Sequence, residues 1–390
     1  MNTKKWIWQH KNFPNFTHDY SKIEPMIFQL IEKSGELKGK MSYLAVNEHD
    51  NFSVETSLSE IIATSLIEGV ELKRDSVRSS LHKKLDIAFD RVEDKSTKNS
   101  DSLTELYLDS RFNQEALSLE RLHNWHEAIF EDYTSVLYPI NKGVFRDHDD
   151  MQIVSGSIGK EKVHYQAIPQ SKIEPSMRQL IAYINDSSEN FIVKSAVAHL
   201  WFESVHPYDD GNGRIGRAIV NYILAKDGGL DNRYYSISSA INDDRKGYYN
   251  SLEKAQSLLY NKDLEITEWI QWHTKSIEKS IDISLKNIEK VIAKTRFYDK
   301  IKYLKLNEKQ NKVINKLLDI GEGNFEGGLT NKKYRALTKT DAVTASRHLK
   351  DMVNKGIIKE VEGFSGRNSR YELDMNVNLK NQSVKRVIST

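Results

Sequence analysis

Apolar residues recur at helical spacing over most of this chain. Leu58, Ile61, Ile62 and Leu66 form one stripe, which predicts a helix over 56–69. Thr56-Ser-Leu-Ser offers hydroxyls suited to an N-cap, and Gly69 is placed to end the helix. Further helices are predicted over 24–39, 106–130, 176–184 and 191–205, then from Arg214 to Asp227, from Lys246, and from Trp269 towards Ile301. Trp125, His126 and His199 read as packed helix positions. The span 91–103 is polar and reads as a loop.

The period changes to two in the middle of the chain. Met151-Gln-Ile-Val-Ser155 and Val163-His-Tyr-Gln-Ala167 flank a glycine-containing turn at 156–162, which predicts a β-hairpin. Near the start, Trp6-Ile-Trp8 reads as a short extended piece and Asn12-Phe-Pro-Asn15 as a turn. With Phe13, Phe16 and Tyr20 they predict an arm docked by its aromatic rings. Towards the end, helices are predicted over 307–319, 329–337 and 341–355, followed by a hairpin from Ile357-Ile-Lys-Glu-Val361 and Arg370-Tyr-Glu-Leu373. Three helices and a hairpin resemble a winged helix-turn-helix. The acidic glycine run 322–328 reads as a turn.

Composition narrows the class. The 390 residues suffice for two or three domains. With only 6 prolines the balance tips towards helix, and without cysteine there is no disulfide, thiolate catalysis or Cys-bound zinc. No run approaches a membrane-spanning length, so a cytoplasmic protein with no membrane partner is expected. Charge is uneven. Residues 291–390 hold 21 Lys and Arg against 11 Asp and Glu, which leaves 36 against 44 in the remainder. An acidic body with a basic C-terminal quarter suggests a separate module with an anionic partner, such as DNA through 300–375.

One stretch carries the chemistry: His206-Pro-Tyr-Asp-Asp-Gly-Asn-Gly-Arg-Ile-Gly-Arg217. Pro207 disfavours helix at His206, and a new helix starts after the glycines. Backbone N–H groups at such a turn attract phosphate. Arg214 and Arg217, three apart, share a helix face and suit phosphate oxygens. A carboxylate beside phosphate points to Mg²⁺, and the residues alone do not choose between Asp209 and Asp210. His206 can accept a proton near neutral pH. A calcium loop is excluded because no Glu follows at the required spacing, and there is no Walker loop.

The stretch resembles the Fic motif, His-x-Phe-x-Asp/Glu-Gly-Asn-Gly-Arg-x-x-Arg, with Tyr208 in place of the usual Phe. The resemblance implies a mainly α Fic-fold core with a small β-hairpin flap, plus a C-terminal winged helix. It implies transfer of AMP from ATP, with Mg²⁺, to a Ser, Thr or Tyr hydroxyl of a target protein or of this protein itself. His206 would be the general base and Asp210 the metal ligand. Gly211, Asn212 and Gly213 would form the anion nest, and Arg214 and Arg217 would bind the β- and γ-phosphates. Tyr248, Tyr249 and Asn250 would lie at the adenine pocket. Ile153, Val154, Ser155, Val163, His164 and Tyr165 would form the target-docking flap. Thr64-x-x-x-Glu68-Gly69 is similar to the inhibitory motif of autoinhibited Fic proteins, with Glu68 expected to meet Arg217 in a bidentate pair.

The resulting division is an arm and helix (1–55), an inhibitory helix with the first part of the core (56–140), the catalytic core (141–290), and a linker helix with winged helix (291–390). Two alternatives stand beside adenylyl transfer. One is a DNA-binding regulator with a weakly active Fic site. The other is transfer of a different phosphate-containing group, against which Arg217 argues. A homodimer is also compatible with the sequence.

Overall fold

A computed structural model of the chain describes residues 5–85, 94–137, 139–155, 160, 162–227, 230, 232–320 and 327–375. The expected turns at 156–159 and 228–229 and the acidic glycine run at 322–326 lie outside these residues. The chain divides into two compact units, Met1–Leu285 and Lys286–Thr390. Among the described residues it is mainly helical, with one small two-stranded hairpin in each unit.

The first unit opens on the aromatic arm. Trp6 forms an isolated bridge with Ser257, and Ile7–Gln9 is a short 3-10 helix rather than the expected extended piece. Gln9 explains the difference: its side-chain oxygen accepts from the N–H groups of Lys5 and Trp6, closing the turn. Helix α1 (Glu24–Met41) follows. Helix α2 runs over Val46–Ile67, ten residues earlier than the cap expected at Thr56. The Thr56 hydroxyl donates instead to the Phe52 carbonyl within the helix. The C-terminus of α2 follows the sequence closely. Gly69 has φ +77°, its N–H reaches Leu66 O, and Val70 N–H reaches Ser65 O, a Schellman end.

Helix α3 (Arg74–Leu85) has few apolar residues and buries Val77 and Leu81. Helix α4 (Lys98–Phe112) starts inside the stretch read as a loop. Its polar first turn is held by a reciprocal cap between Thr97 and Ser100. Helix α5 (Leu119–Ile129) completes what the sequence showed as one periodic run; Ser118 caps it. The hairpin pairs β1 (Gln152–Ser155) with β2 (Lys162–Gln166), with Ile153 opposite Tyr165 and a bulge before Val154. Helix α6 (Ile173–Asp186) then leads to the pair at the centre of the unit.

Those two are α7 (Phe191–Val205) and α8 (Asn212–Asp227). Every residue of α7 from Ile192 to Val205 is buried, including Lys194, His199 and Glu203, as befits the central helix of the unit. The core around them takes Leu58 and Ile61 from α2, Trp125 from α5, and Phe202, Ile215 and Ile219 from the pair. Helices α9 (Ile237–Asp243), α10 (Arg245–Gln256) and α11 (Thr267–Ile301) close the unit.

The second unit takes the end of α11, then α12 (Glu308–Ile320), α13 (Asn331–Thr338) and α14 (Ala342–Asn354). Its core includes Ile314, Leu317, Tyr334, Leu349 and Met352. Strands β3 (Ile358–Glu360) and β4 (Tyr371–Leu373) pair antiparallel, and Leu329 bridges to Tyr371 on the other edge. Asp341 caps α14 by accepting from Thr344 and Val343 N–H, which pulls its carboxyl down to about 2. No helix among the described residues is long and apolar enough to cross a membrane.

Candidate active site

The site forms where α7 ends and α8 begins. His206 follows α7 in the left-handed region, φ 49° and ψ 62°, with its N–H still bonded to Phe202 O. Such a conformation is costly for a residue other than glycine and needs outside support. Arg146 supplies it. Its Nε donates to His206 O at 2.9 Å, its main-chain N–H reaches Pro207 O at 2.9 Å, and its other nitrogens donate to His148 O and Ile168 O. Tyr165 adds a bond from its hydroxyl to Ser204 O at 2.8 Å. The His206 side chain is 16% exposed, enough for one ring edge to meet a substrate. Burial lowers its pKa, so the ring is neutral at pH 7.

Asn212 folds the loop back on itself. Its Oδ1 accepts from Tyr208 N–H at 3.0 Å, and its Nδ2 donates to Tyr208 O at 2.8 Å. The ring of Tyr208 is buried and stacks on His126 at 4.1 Å, with planes 11° apart. Its hydroxyl, the departure from Phe, meets His123 Nδ1 at 3.2 Å. His126 has a larger part than packing. Its Nδ1 accepts from Gly143 N–H at 2.9 Å, which leaves Nε2–H to donate to Asp210 O at 3.2 Å. Burial drops its pKa to about 4, so the neutral ring keeps this tautomer and holds the loop's carbonyl.

The loop needs glycine for stated reasons. Gly211 has φ +79°, and a Cβ there would stand 2.9 Å from the Phe130 ring. Gly211→Ala should therefore lower stability by about 1–3 kcal/mol in denaturant titration and weaken nucleotide binding. Wild-type stability in this variant would refute the strain. At Gly213 a Cβ would lie 2.2 Å from Glu68 Oε1 and 3.1 Å from Arg217 Nη1. The carboxylate of Glu68 thus lies directly against the amide nest at the start of α8.

The two aspartates have different surroundings. Asp209 Oδ2 accepts from Asn141 N–H, Oδ1 faces His148 Nε2 at 3.1 Å, and the side chain is 15% exposed. Asp210 is 61% exposed, and Gly211 N–H donates to its Oδ1. Arg214 lies over the Phe130 ring with Nη2 4.0 Å from Asp210.

Arg217 is 2% exposed and faces α2. Its Nη2 donates to Glu68 Oε1 at 2.7 Å and Thr64 O at 2.9 Å, and its Nε donates to Thr64 Oγ1 at 2.8 Å. The pair with Glu68 therefore uses one carboxylate oxygen and is not bidentate: Thr64 takes the Nε edge of the guanidinium, and Nη1 has no hydrogen-bond partner among the described residues. Burial works against the Arg217 charge, but Glu68 beside it keeps the pKa raised.

The remaining expected site residues are dispersed. Tyr248 is buried in the core beside His199, Trp272 and Tyr249, so its ring offers no open face to an adenine. Tyr249 and Asn250 are exposed on α10, and the Tyr249 hydroxyl reaches Ile67 O at 3.3 Å. In the hairpin, Tyr165 is a core residue packed on Trp6 rather than a docking side chain. Ile153 and Val163 pack partly against the same cluster, and Val154 is 47% exposed. His164 bridges Ser155 Oγ and Glu253, which ties the hairpin to α10.

Comparison with known proteins gives this geometry a family. Residues 116–224 match the Fic/DOC family model, a span that runs from before α5 to near the end of α8. The chain carries a Fic/DOC family domain. Residues 6–87 match a domain of unknown function, DUF4172, so Thr64, Glu68 and Gly69 fall in that module and the His206 loop in the Fic/DOC domain. A probable protein adenylyltransferase of Aquifex aeolicus is 28% identical over 92 residues, 23% of this chain. That match spans 29% of the length of the relative. A Fic family protein of Desulfovibrio desulfuricans superposes with a TM-score of 0.51 at 18% identity, covering 90% of this chain and 96% of that one. A Fic domain-containing signalling protein of Bacteroides thetaiotaomicron gives 0.49 at 17%, over 68% and 97%. The superposition on the Desulfovibrio desulfuricans protein shows a shared, mainly helical fold. The Fic/DOC loop joins a neutral imidazole, a cradle of amides and two guanidinium groups within one turn of chain.

Proposed function

We propose that this Fic/DOC protein is a protein adenylyltransferase, held inactive by Glu68. The observation that carries the reading is the convergence of His206, the Gly211–Gly213 amides, Arg214 and Arg217. A target hydroxyl attacks the α-phosphorus of ATP. The new O–P bond forms as the bond to the β-phosphate oxygen breaks, pyrophosphate leaves, and the hydroxyl proton passes to His206. The amides and arginines hold the phosphate oxygens on which charge grows.

The residues fit Mg²⁺ as a partner of the nucleotide. Among the described residues no group of three or more His, Cys, Asp or Glu is placed to hold a metal alone. Mg²⁺ commonly takes one carboxylate together with substrate phosphates and water, and the exposed Asp210 suits that role. When bound, the ion would neutralise phosphate charge. Asp209, already engaged by Asn141 and His148, supports loop shape instead.

The test is incubation with Mg²⁺ and ATP labelled at the α- or the γ-phosphate, using the Glu68→Gly variant. Protein-bound α-label without γ-label is expected, and mass spectrometry should find AMP on Ser, Thr or Tyr. Protein-bound γ-label would instead mean phosphate transfer.

The second unit supports a further reading as a winged helix that binds DNA. Ser346, Arg347 and Lys350 are exposed on α14, within a quarter of the chain that is net basic. The full chain should shift duplex DNA at low salt, with affinity falling steeply as salt rises, and Arg347→Ala with Lys350→Ala should weaken binding. Absence of a shift at low salt would assign the unit to protein contact or dimerisation.

A further inference from the structure

Glu203 is buried one turn before His206, on α7, and among the described residues its Oε1 has no hydrogen-bond partner. Its Oε2 lies 3.8 Å from His206 Nδ1, and its Oε1 lies 3.7 Å from His199 Nε2. Neither distance is a hydrogen bond. Glu203 Oε1 and His206 Nδ1 are both buried without a partner. A buried carboxyl left unsatisfied costs free energy, so its retention beside the reacting loop calls for a reason. Gly216 makes the room for it, since a Cβ there would stand 2.7 Å from Glu203 Oε1.

We propose that Glu203 is the positioning residue of the base: it accepts the Nδ1 proton of His206 and so leaves Nε2 free to take the proton of the target hydroxyl. The inference deepens the adenylyl-transfer reading and rests on it for its rate predictions only. Apo hydrogen bonds at catalytic centres are commonly long and tighten on substrate binding, and closing this gap needs about 1 Å. The proton then moves from the hydroxyl to Nε2, the imidazolium keeps its Nδ1 proton, and the carboxylate of Glu203 faces the positive ring. An acidic partner on the far nitrogen both fixes the tautomer and stabilises the cation that forms.

The charge environment agrees with a group poised to change. Burial raises the Glu203 pKa to about 7, while His206 and Arg217 oppose the rise and Glu68 adds to it. Burial lowers that of His206, and Glu203 raises it in return, through its carboxylate and its main-chain carbonyl. The ionisable and charged groups around the pair are His199 on α7, Arg217 on α8, Tyr248 on α10, Arg146 before the hairpin, and Glu68 at the end of α2. His199 is held neutral with its pKa near 3, so it offers Glu203 no compensating charge. A coupled pair of this kind titrates as a unit.

The experiment reads the pair directly and without turnover. In ¹⁵N-histidine spectra of the whole protein, assigned by difference with His206→Ala, the His206 ring should be the Nδ1–H tautomer. Glu203→Gln should lower its pKa. In the reverse direction, the Glu203 carboxyl, followed by ¹³C, should titrate at higher pH in His206→Ala than in wild type, because the Nδ1–H donor that favours its ionised form is gone. This arm holds even if Glu203→Gln does not fold. In the Glu68→Gly background, Glu203→Gln should cut kcat by roughly 10²-fold with KM for ATP unchanged, and move the acid limb of the rate profile to lower pH. An Nε2–H tautomer in wild type overturns the proposal. Equally, unchanged titrations in both variants would leave the main-chain carbonyl as the orienting group and overturn it. If the titrations couple but no AMP is transferred, the adenylyl-transfer reading fails and the pairing stands.

Discussion

Glu68→Gly should raise transfer of AMP from α-labelled ATP by roughly 10²-fold over wild type, since misplacing reacting groups by about 1 Å costs that much. The reasoning starts from what the carboxylate displaces. Glu68 Oε1 is 2.7 Å from Arg217 Nη2 and lies against Gly213, where an anion held by the α8 amides would sit. An ATP γ-phosphate cannot share that place with a carboxylate. On the proposed reading, nucleotide would then bind only with its phosphates turned away from in-line attack. Removing the side chain leaves the rest of the arrangement standing. Arg217 keeps its two bonds to Thr64, and its Nη1 faces the nest with no other partner.

Helix α2 does not depend on Glu68 either. Glu60, about two turns earlier, is buried and accepts from Asn221, Ser236 and Ser238. Arg245 and Tyr249 hold the Ile67 carbonyl at its end. The gain should therefore appear without loss of folding, and thermal melting should show the variant near wild-type stability. Glu68→Gln, which keeps a weaker hydrogen bond without the charge, should fall between the two. A wild-type rate in Glu68→Gly, with protein folded and ATP saturating, would reduce Glu68 to a structural helix end.

How much of this was legible in the sequence follows the range of each contact. The loop from His206 to Arg217 is contiguous, and glycines and proline disclose its turn from residue type alone, while the paired arginines point to the proposed anion site. The meeting of Glu68 with Arg217 is separated by 149 residues and was legible only through a short motif similar to that of a known family. Its detailed form was not, because Thr64 Oγ1 competes for the same guanidinium. Arg146, His126 and Glu203 were missed as parts of the site. Each acts through a main-chain carbonyl or a buried contact on another element, which leaves no periodic trace. Glu203 did have one signal, a carboxylate three residues before the histidine on a helix otherwise buried on all sides. In the fold, α3, α9 and the first half of α2 escaped notice because polar residues dominate them and tertiary packing outweighs their weak pattern.

His206→Ala should lower transfer by a factor of ~10² to 10⁴ when placed in the Glu68→Gly background, the usual contribution of a general base. Burial lowers the His206 pKa, so the ring is neutral and able to accept a proton at pH 7, and activity should fall as pH drops through that lowered value. The variant should lose that acid limb along with its rate. ATP affinity should survive, since the proposed phosphate contacts are the amides from Gly211 to Gly213 and the two arginines rather than His206. One structural effect has to be separated from the chemical one. His206 stands at φ 49°, a conformation that alanine adopts at a cost and asparagine tolerates better. His206→Asn therefore preserves the backbone while removing the proton acceptor, and the two variants should be equally inactive with ATP affinity unchanged. If His206→Asn kept the parent rate, no base would be needed at this position. If both variants lost ATP binding with the rate, His206 would be a backbone support for the nest and the hydroxyl proton would leave by another route.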